Sequence, residues 1–386
     1  MSVVGARPNF MKIAPFIQAI DRHNGAGGEQ IDHVLVHTGQ HYDDRMSASF
    51  FESLGIPAPD VNLEIGSGSH GVQLGQTMMA FEPVVVEHDP DWIVVVGDVN
   101  ATLSCSVIAK RLKKKVAHIE AGLRSGDIGM PEEINRLVTD RLSDLLLTPD
   151  RISGENLARE GVPEERIRFV GNIMIDTLEK SREGAASGIV SEIIRANVIG
   201  GQPKKEISLA DNTYGLMTMH RPSNVDHRPI LTALMRFLMD EATQRLPLVW
   251  ALHPRTRKQL QAFGLWDEVL SHPRLLLLEP IGYHAMLRLN MGAKIMLTDS
   301  GGLQEECCVL GTPCLTLRFN TERPITLREH GGASVLVGND VEHIRRELDA
   351  TLNLPNRPVS PEYWDGKTAD RIVAAIMATT RQVVAA

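Results

Sequence analysis

The chain of 386 residues has only four cysteines, Cys105, Cys307, Cys308 and Cys314. Adjacent Cys307 and Cys308 are poorly suited to pairing, and no cysteine stands in metal-ligand spacing, so neither a disulfide framework nor a metal site is expected. Small core residues in a reducing cytoplasm are the default reading of the four thiols. Apolar runs are short, as at 93–96 and 275–278, far below the roughly 18 residues a membrane helix needs. The first residues put Arg7 and Lys12 around a brief apolar patch, which is not the order of a secretory signal. Basic charge is also in deficit. Lys and Arg number 40 against 48 Asp and Glu, for a net charge of −8, which argues against a nucleic-acid or membrane-surface partner but leaves room for a local basic pocket. Internal repeats and low-complexity tracts are missing. Hydrophobic residues at 43% and charged residues at 23% exclude disorder as the main state.

The length exceeds what one hydrophobic core organises and predicts two domains. Short β-branched runs at 3–4, 33–37, 92–96, 116–119, 145–147 and 167–170 alternate with amphipathic segments. The rhythm restarts at 216–219, 248–252, 275–278, 294–298, 314–317 and 334–337. That alternation predicts parallel α/β structure, two Rossmann-like doubly wound domains facing a cleft. The boundary is expected between Gly171 and about Lys205, giving domains 1–175 and 176–366. A final amphipathic stretch, 369–384, carries Ile372, Val373, Ile376 and Met377 at helical spacing and could pack on either domain.

Ligands of open α/β sheets bind at the carboxyl ends of strands, so the residues just after each strand are the candidates. Gly5-Ala6-Arg7-Pro8, followed by Lys12, ends the first strand with a close-approach glycine and two cations. A tight connection with two solvated cations explains it equally, since one glycine is a weak phosphate signature. Pro15 is expected to kink or delay the helix that follows. Asp98 and Glu120 end two neighbouring strands. Asp98 could cap a helix, but carboxylates gathered at one edge also suit general acid/base work. Pro131 suits a first helical position, with Glu132 and Glu133 favoured by the positive helix start. Ile134, Leu137 and Val138 are expected to form the buried stripe of that helix, leaving Glu132 free of packing. In the second half His220-Arg221 and His253-Pro254-Arg255 each follow a strand, as proton donors, phosphate contacts or satisfied loop histidines. The strongest local signal is Asp299-Ser300-Gly301-Gly302 before Glu305-Glu306: strand, unobstructed glycines, then helix. That pattern makes an anion site that serves a diphosphate without metal.

The ordered set of these motifs, with Gly97-Asp98, His118 to Arg124, Pro131 to Arg136, Gly171-Asn172 and Thr321-Glu322-Arg323-Pro324, resembles the non-hydrolysing UDP-N-acetylglucosamine 2-epimerases over nearly the full length. The resemblance implies a glycosyltransferase-B-like architecture, with a C-terminal helix, 367–386, returning to the first domain. It also implies inversion at C2 of UDP-GlcNAc to UDP-ManNAc, by elimination of UDP and re-addition through a 2-acetamidoglucal. No cofactor or metal is expected, and the UDP-sugar is the small-molecule partner of a homodimer built through the N-terminal domain. Carried over residue by residue, Asp98, Glu120, Glu132 and His220 match the catalytic positions. Arg7, Lys12, Arg136, Ile281, Met286, Ser300, Gly301, Gly302, Glu306 and Arg323 match substrate-binding ones, with Glu306 as the ribose-binding acid.

Three departures stand out. Met286 replaces the phenylalanine that many members stack on uracil, Gln40-His41-Tyr42-Asp43 replaces an allosteric stretch of some bacterial members, and Gly129-Met130 replaces a bulkier segment. The alternatives are a hydrolysing 2-epimerase, a 2-epimerase of a UDP-diacetamido uronic acid, a glycosyltransferase of the same fold, and a nucleotide-sugar sensor.

Overall fold

Strands that are apolar on both faces must be covered on both faces, and a parallel sheet between two helical layers does this. In the computed structural model, which describes residues 1–39, 54–202 and 209–384, every strand pairing in both sheets is parallel. The stretch 40–43, Pro203 and Lys205 lie outside the described residues. Two compact units result: Met1–Thr177 with Pro361–Ala386, and Leu178–Ser360.

The first unit holds β1 Ser2–Val4, β2 Leu35–His37, β3 Val61–Asn62, β4 Trp92–Val96, β5 Lys115–Ile119, β6 Leu145–Thr148 and β7 Ile167–Phe169, in the order β3-β2-β1-β4-β5-β6-β7. The second holds β8 Gly215–Thr218, β9 Leu248–Ala251, β10 Leu275–Leu278, β11 Ile295–Thr298, β12 Cys314–Thr316 and β13 Ser334–Leu336, in the order β10-β9-β8-β11-β12-β13. Both are doubly wound, and each reverses direction once, between β1 and β4 and between β8 and β11. Those reversals open a crevice at the strands' carboxyl ends, where ligands of such sheets sit. The two-residue strand β3 has too little pattern to be read in advance; the other strands fall within a few residues of expectation.

The helices that bear on the site are α1 Arg7–Gly25, α2 His70–His88, α3 Asn100–Arg111, α4 Pro131–Leu142, α5 Ile173–Ala186, α6 Pro254–Ala262, α7 Gly301–Leu310 and α8 Thr368–Val384. Contrary to expectation, α1 runs unbroken through Pro15. Proline leaves the carbonyl four residues earlier without its helical donor, and here that carbonyl, Met11 O, accepts the Thr177 hydroxyl instead. Helix α8 packs against α1 within the first unit. Its start is capped by buried Asp176, which accepts from the N–H groups of Thr368 at 3.0 Å and Ala369 at 2.7 Å.

Helix α4 reverses the expected pattern. Ile134 and Val138 are exposed, and the buried residues are Glu133, Asn135, Arg136, Thr139 and Asp140. The physical reason lies in what the helix covers. Its inner face meets Asp98 and His118 at the sheet edge, and buried charge requires charged or hydrogen-bonding partners.

Candidate active site

The crevice of the first sheet is braced by a residue that sequence reasoning passed over. The Asn9 side chain accepts from Gly5 N at 3.0 Å and Ala6 N at 3.1 Å, and donates to Val96 O at 3.0 Å. It thereby ties the turn after β1 to the end of β4. The cation of that turn, Lys12, is buried and ion-paired with Glu120. Glu120 is itself buried at φ 70°, and among the described residues it is the one non-glycine of positive φ that is buried. Such a backbone costs on the order of 1–3 kcal/mol and persists where its surroundings impose it. One carboxylate oxygen of Glu120 meets Lys12 Nζ; the other, Oε1, is buried without a partner among the described residues. Gly97, at φ +67°, lies so near that a Cβ there would come within 3.2 Å of Lys12 Nζ and 3.4 Å of Glu120 Oε2.

Asp98 does not cap the helix after it, whose N-cap is Val99. Its carboxylate pairs with Arg136 at 2.5 Å and its carbonyl accepts from Asn135 at 2.8 Å. Arg136 is almost fully buried and also pairs with Glu133, so its guanidinium holds neighbouring carboxylates. Bonds from Ser125, Gly126 and Arg136 outweigh burial and hold the Glu133 carboxyl below its usual range. Glu132 is exposed in the first turn of α4. Arg7 opens α1.

Matching positions in the second sheet carry the other candidates. After β8, His220 is partly exposed and its Nδ1 lies 2.9 Å from Asp299 Oδ1. Asp299, after β11, is fully buried. It also accepts from His220 N at 2.9 Å, Arg221 N at 2.8 Å and Asn224 Nδ2 at 3.1 Å. Asp299 was legible only as part of a motif; that it organises the His220 turn needed the tertiary contact. His253 caps α6 and its ring stands 5.2 Å from that of His220.

Ser300 is the N-cap of α7, yet its hydroxyl makes no capping bond. An ordinary capped turn is therefore not what occurs here. The first N–H groups of a helix have no intrahelical partner and carry the positive end of its dipole. A Cβ at Gly302 would meet nothing within 4 Å, whereas one at Gly301 would strike Glu322 Oε1 at 2.7 Å and Arg323 Nη1 at 2.8 Å. Gly302 thus leaves open space over the turn, and Gly301 makes room for a buried ion network. In that network Arg323 pairs with Glu305 at 2.6 Å and with Glu322, which also takes Arg318 at 2.6 Å. Ile281 and Met286 are partly buried against the core on this side of the sheet.

Glu306 is buried, and desolvation lifts its pKa from 4.5 to about 7, with Tyr283 and Asn290 as the nearby groups that favour its ionised form. A carboxyl so raised destabilises the fold once the unfolded chain would ionise. The cost begins above about pH 4.5 and is complete above about pH 7. Glu306→Gln, measured by urea denaturation, is expected to gain on the parent across that window. The gain should reach on the order of 3 kcal/mol at pH 8 and vanish near pH 4.

Two doubly wound units, one with acids and a buried ammonium at its crevice and the other with a glycine turn at a helix start, are of the class of α/β folds that take phosphate-bearing ligands at their strand ends. A family profile described as UDP-N-acetylglucosamine 2-epimerase matches residues 24–377. The UDP-N-acetylglucosamine 2-epimerase of Methanocaldococcus jannaschii is 40% identical over 374 residues, 96% of each chain. The UDP-2,3-diacetamido-2,3-dideoxy-D-glucuronate 2-epimerase of Pseudomonas aeruginosa is 35% identical over 378 residues, covering 96% of this chain and 97% of that one. A crystal structure of the M. jannaschii UDP-GlcNAc 2-epimerase in complex with UDP-GlcNAc and UDP superposes with a TM-score of 0.86 at 38% identity, covering 98% of this chain and 99% of that one. The chain belongs to the UDP-N-acetylglucosamine 2-epimerase family. Its fold is of the glycosyltransferase-B-like class that the solved members share. Among the described residues, no helix is long and apolar enough to cross a membrane, and no group of three or more His, Cys, Asp or Glu could hold a metal ion.

Proposed function

We propose that this chain interconverts UDP-N-acetylglucosamine and UDP-N-acetylmannosamine without net hydrolysis. The observation that carries the reading is Glu120: a buried, backbone-strained carboxylate paired with Lys12, one oxygen unpartnered, beside Asp98 at the switch point of a doubly wound sheet. A buried polar atom without a partner demands a reason, and a reacting ligand provides one. A base takes the C2 proton, the C–H electrons form the C1–C2 double bond, and the C1–O bond breaks with its electrons leaving on UDP. Protonation of C2 from the opposite face and attack of the UDP oxygen on C1 restore the linkage. Asp98, Glu120 and Glu132 share the proton transfers. The Ser300–Gly302 turn, His220 and Arg323 receive the diphosphate charge, which is greatest on the departing UDP. Glu306 serves the ribose, and Ile281 and Met286 line the base. Arg7 adds positive charge on the first unit, and Arg136 acts through Asp98. The M. jannaschii relative, solved with UDP-GlcNAc and UDP, supports the substrate class.

Proton NMR with UDP-GlcNAc in heavy water tests this. Deuterium should enter at C2 with the nucleotide still attached. Free UDP appearing in step with free N-acetylmannosamine would favour the hydrolysing alternative. Turnover of a UDP-diacetamido uronic acid alone would favour the specificity of the P. aeruginosa relative.

The reading includes a homodimer. On α2, Val72, Met79 and Val86 are exposed at 51%, 70% and 64%, and their seven-residue spacing puts them on one face. Exposed Ile134 and Val138 extend the apolar surface on α4, across α3, which contacts both helices. Met79→Glu is expected to weaken dimerisation at least tenfold, about 1.4 kcal/mol, by light scattering over a dilution series. A parent chain monomeric at all concentrations would refute the dimer.

A further inference from the structure

Beneath the two acid-bearing turns lies a buried pair that the proposed reaction does not use. His118, on β5, and Asp140, on α4, are both out of solvent, with Nδ1 and Oδ1 2.6 Å apart. The other ring nitrogen, Nε2, is 2.8 Å from Gly97 O. A carbonyl oxygen only accepts, so Nε2 carries a proton. A neutral ring would then turn the bare lone pair of Nδ1 toward a carboxylate, which also only accepts when ionised.

The neighbours of Asp140 decide which partner holds the second proton. Its Oδ2 accepts from Gly122 N at 3.0 Å and pairs with Arg124 at 2.7 Å. Both groups that meet this second oxygen are donors. Burial alone would raise its pKa, but His118 and Arg124 overcome that and hold it below the usual 3.8. Arg124 is balanced in turn by Glu160 at 2.7 Å. On the far side of Gly97 stand Lys12 and Glu120, already paired with each other.

We propose that His118 is a buried imidazolium, donating from both ring nitrogens, and that it is a positioning residue for the epimerisation. It locks the Gly97-Asp98 turn to the Glu120-to-Gly122 turn. The lock has three parts. Gly97 O accepts from the ring, Gly97 N donates to Ile119 O at 3.0 Å, and Asp140 spans His118 and Gly122 N. A charge-assisted bond is roughly twice as strong as a neutral one, so the cation fixes the spacing of Asp98 and Glu120 better than an amide could. The inference rests on the epimerase reading for what the spacing serves, and on hydrogen-bond geometry alone for the charge.

The test uses the full chain labelled with 15N-histidine. At about pH 8, one histidine should show two protonated ring nitrogens. His118→Gln should remove that signal. Asp140→Asn should convert it to a neutral ring whose Nδ1 is bare. A parent spectrum in which every histidine has one bare nitrogen at that pH overturns the charge, whether or not the enzyme turns over. For the positioning role, His118→Gln is expected to lower kcat roughly 10- to 100-fold through misplacement of the acids, with UDP affinity by calorimetry almost unchanged. An unaltered kcat, or equal losses in UDP binding and turnover, overturns it. If His118→Gln does not fold, Asp140→Asn provides the same kcat-against-binding comparison. A parent enzyme that epimerises no UDP-sugar sinks the functional reading and the positioning role together, while the spectrum still decides the charge.

Discussion

Glu120→Gln is expected to lower the rate of C2 deuterium exchange and of epimerisation by about 10²- to 10⁴-fold, the usual contribution of a positioned acid or base. UDP binding should persist, because the Ser300–Gly302 turn belongs to a different unit. The substitution keeps the volume of a side chain that is buried at positive φ, so the packing that imposes this strained backbone survives. It removes the negative charge facing Lys12 Nζ and leaves a buried ammonium with a neutral partner, an unfavourable exchange that should lower the melting temperature. Stopped-flow mixing with UDP-GlcNAc, read against calorimetric UDP affinity, separates the two effects. A folded variant with parental turnover would remove Glu120 from the chemistry and leave Asp98 and Glu132 to account for it.

The second large effect is on stability. Asp299→Ala is expected to cost about 3–5 kcal/mol at pH 7, the range for stripping a buried charge from its partners. No solvent reaches this carboxylate, and four donors on His220, Arg221 and Asn224 converge on it. Alanine would remove the shared acceptor of the two backbone N–H groups and the Asn224 amide. Burial by itself would raise the Asp299 pKa, and the bonds from His220 and Arg221 more than offset it, so the carboxyl lies below its ordinary 3.8. A depressed carboxyl contributes fully above the unfolded value and loses its contribution as pH falls through the folded one. The deficit of the variant, by urea denaturation, should therefore be complete at neutral pH and shrink only below about pH 4. Weaker UDP binding should accompany it, because the His220 turn loses its anchor. Parental stability at pH 7 would show that the convergence is dispensable.

How far the site could be read in advance depended on whether a residue's neighbours in sequence were also its neighbours in space. Asp98, Glu120, His220 and Ser300 each follow a short apolar run, and a run covered on both faces is a parallel strand whose carboxyl end faces a crevice. Asp140 gave no such sign. It lies in the last turn of α4, 22 residues from His118, and only the packing of α4 on the sheet edge makes the pair. The α4 pattern itself misled, since Ile134 and Val138 have the spacing of a buried stripe and yet face outward. Apolar spacing reports that a helix has two unlike faces. It does not report which face meets the protein when the surface beneath is charged. Pro15 posed the same problem in miniature, because the Thr177 hydroxyl that satisfies Met11 O comes from 166 residues away.

Local chemistry in this chain thus settled the element types, the parallel sheets and the strand ends that carry acids, histidine and glycines, because period, turn residues and burial on both faces are properties of contiguous segments. Tertiary structure alone decided which charges neutralise one another: Lys12 with Glu120, Arg136 with Asp98, His118 with Asp140, Asp299 with the His220 turn. A buried charge is tolerated only opposite a specific partner, and that partner is chosen by how helices and strands distant along the chain are folded together.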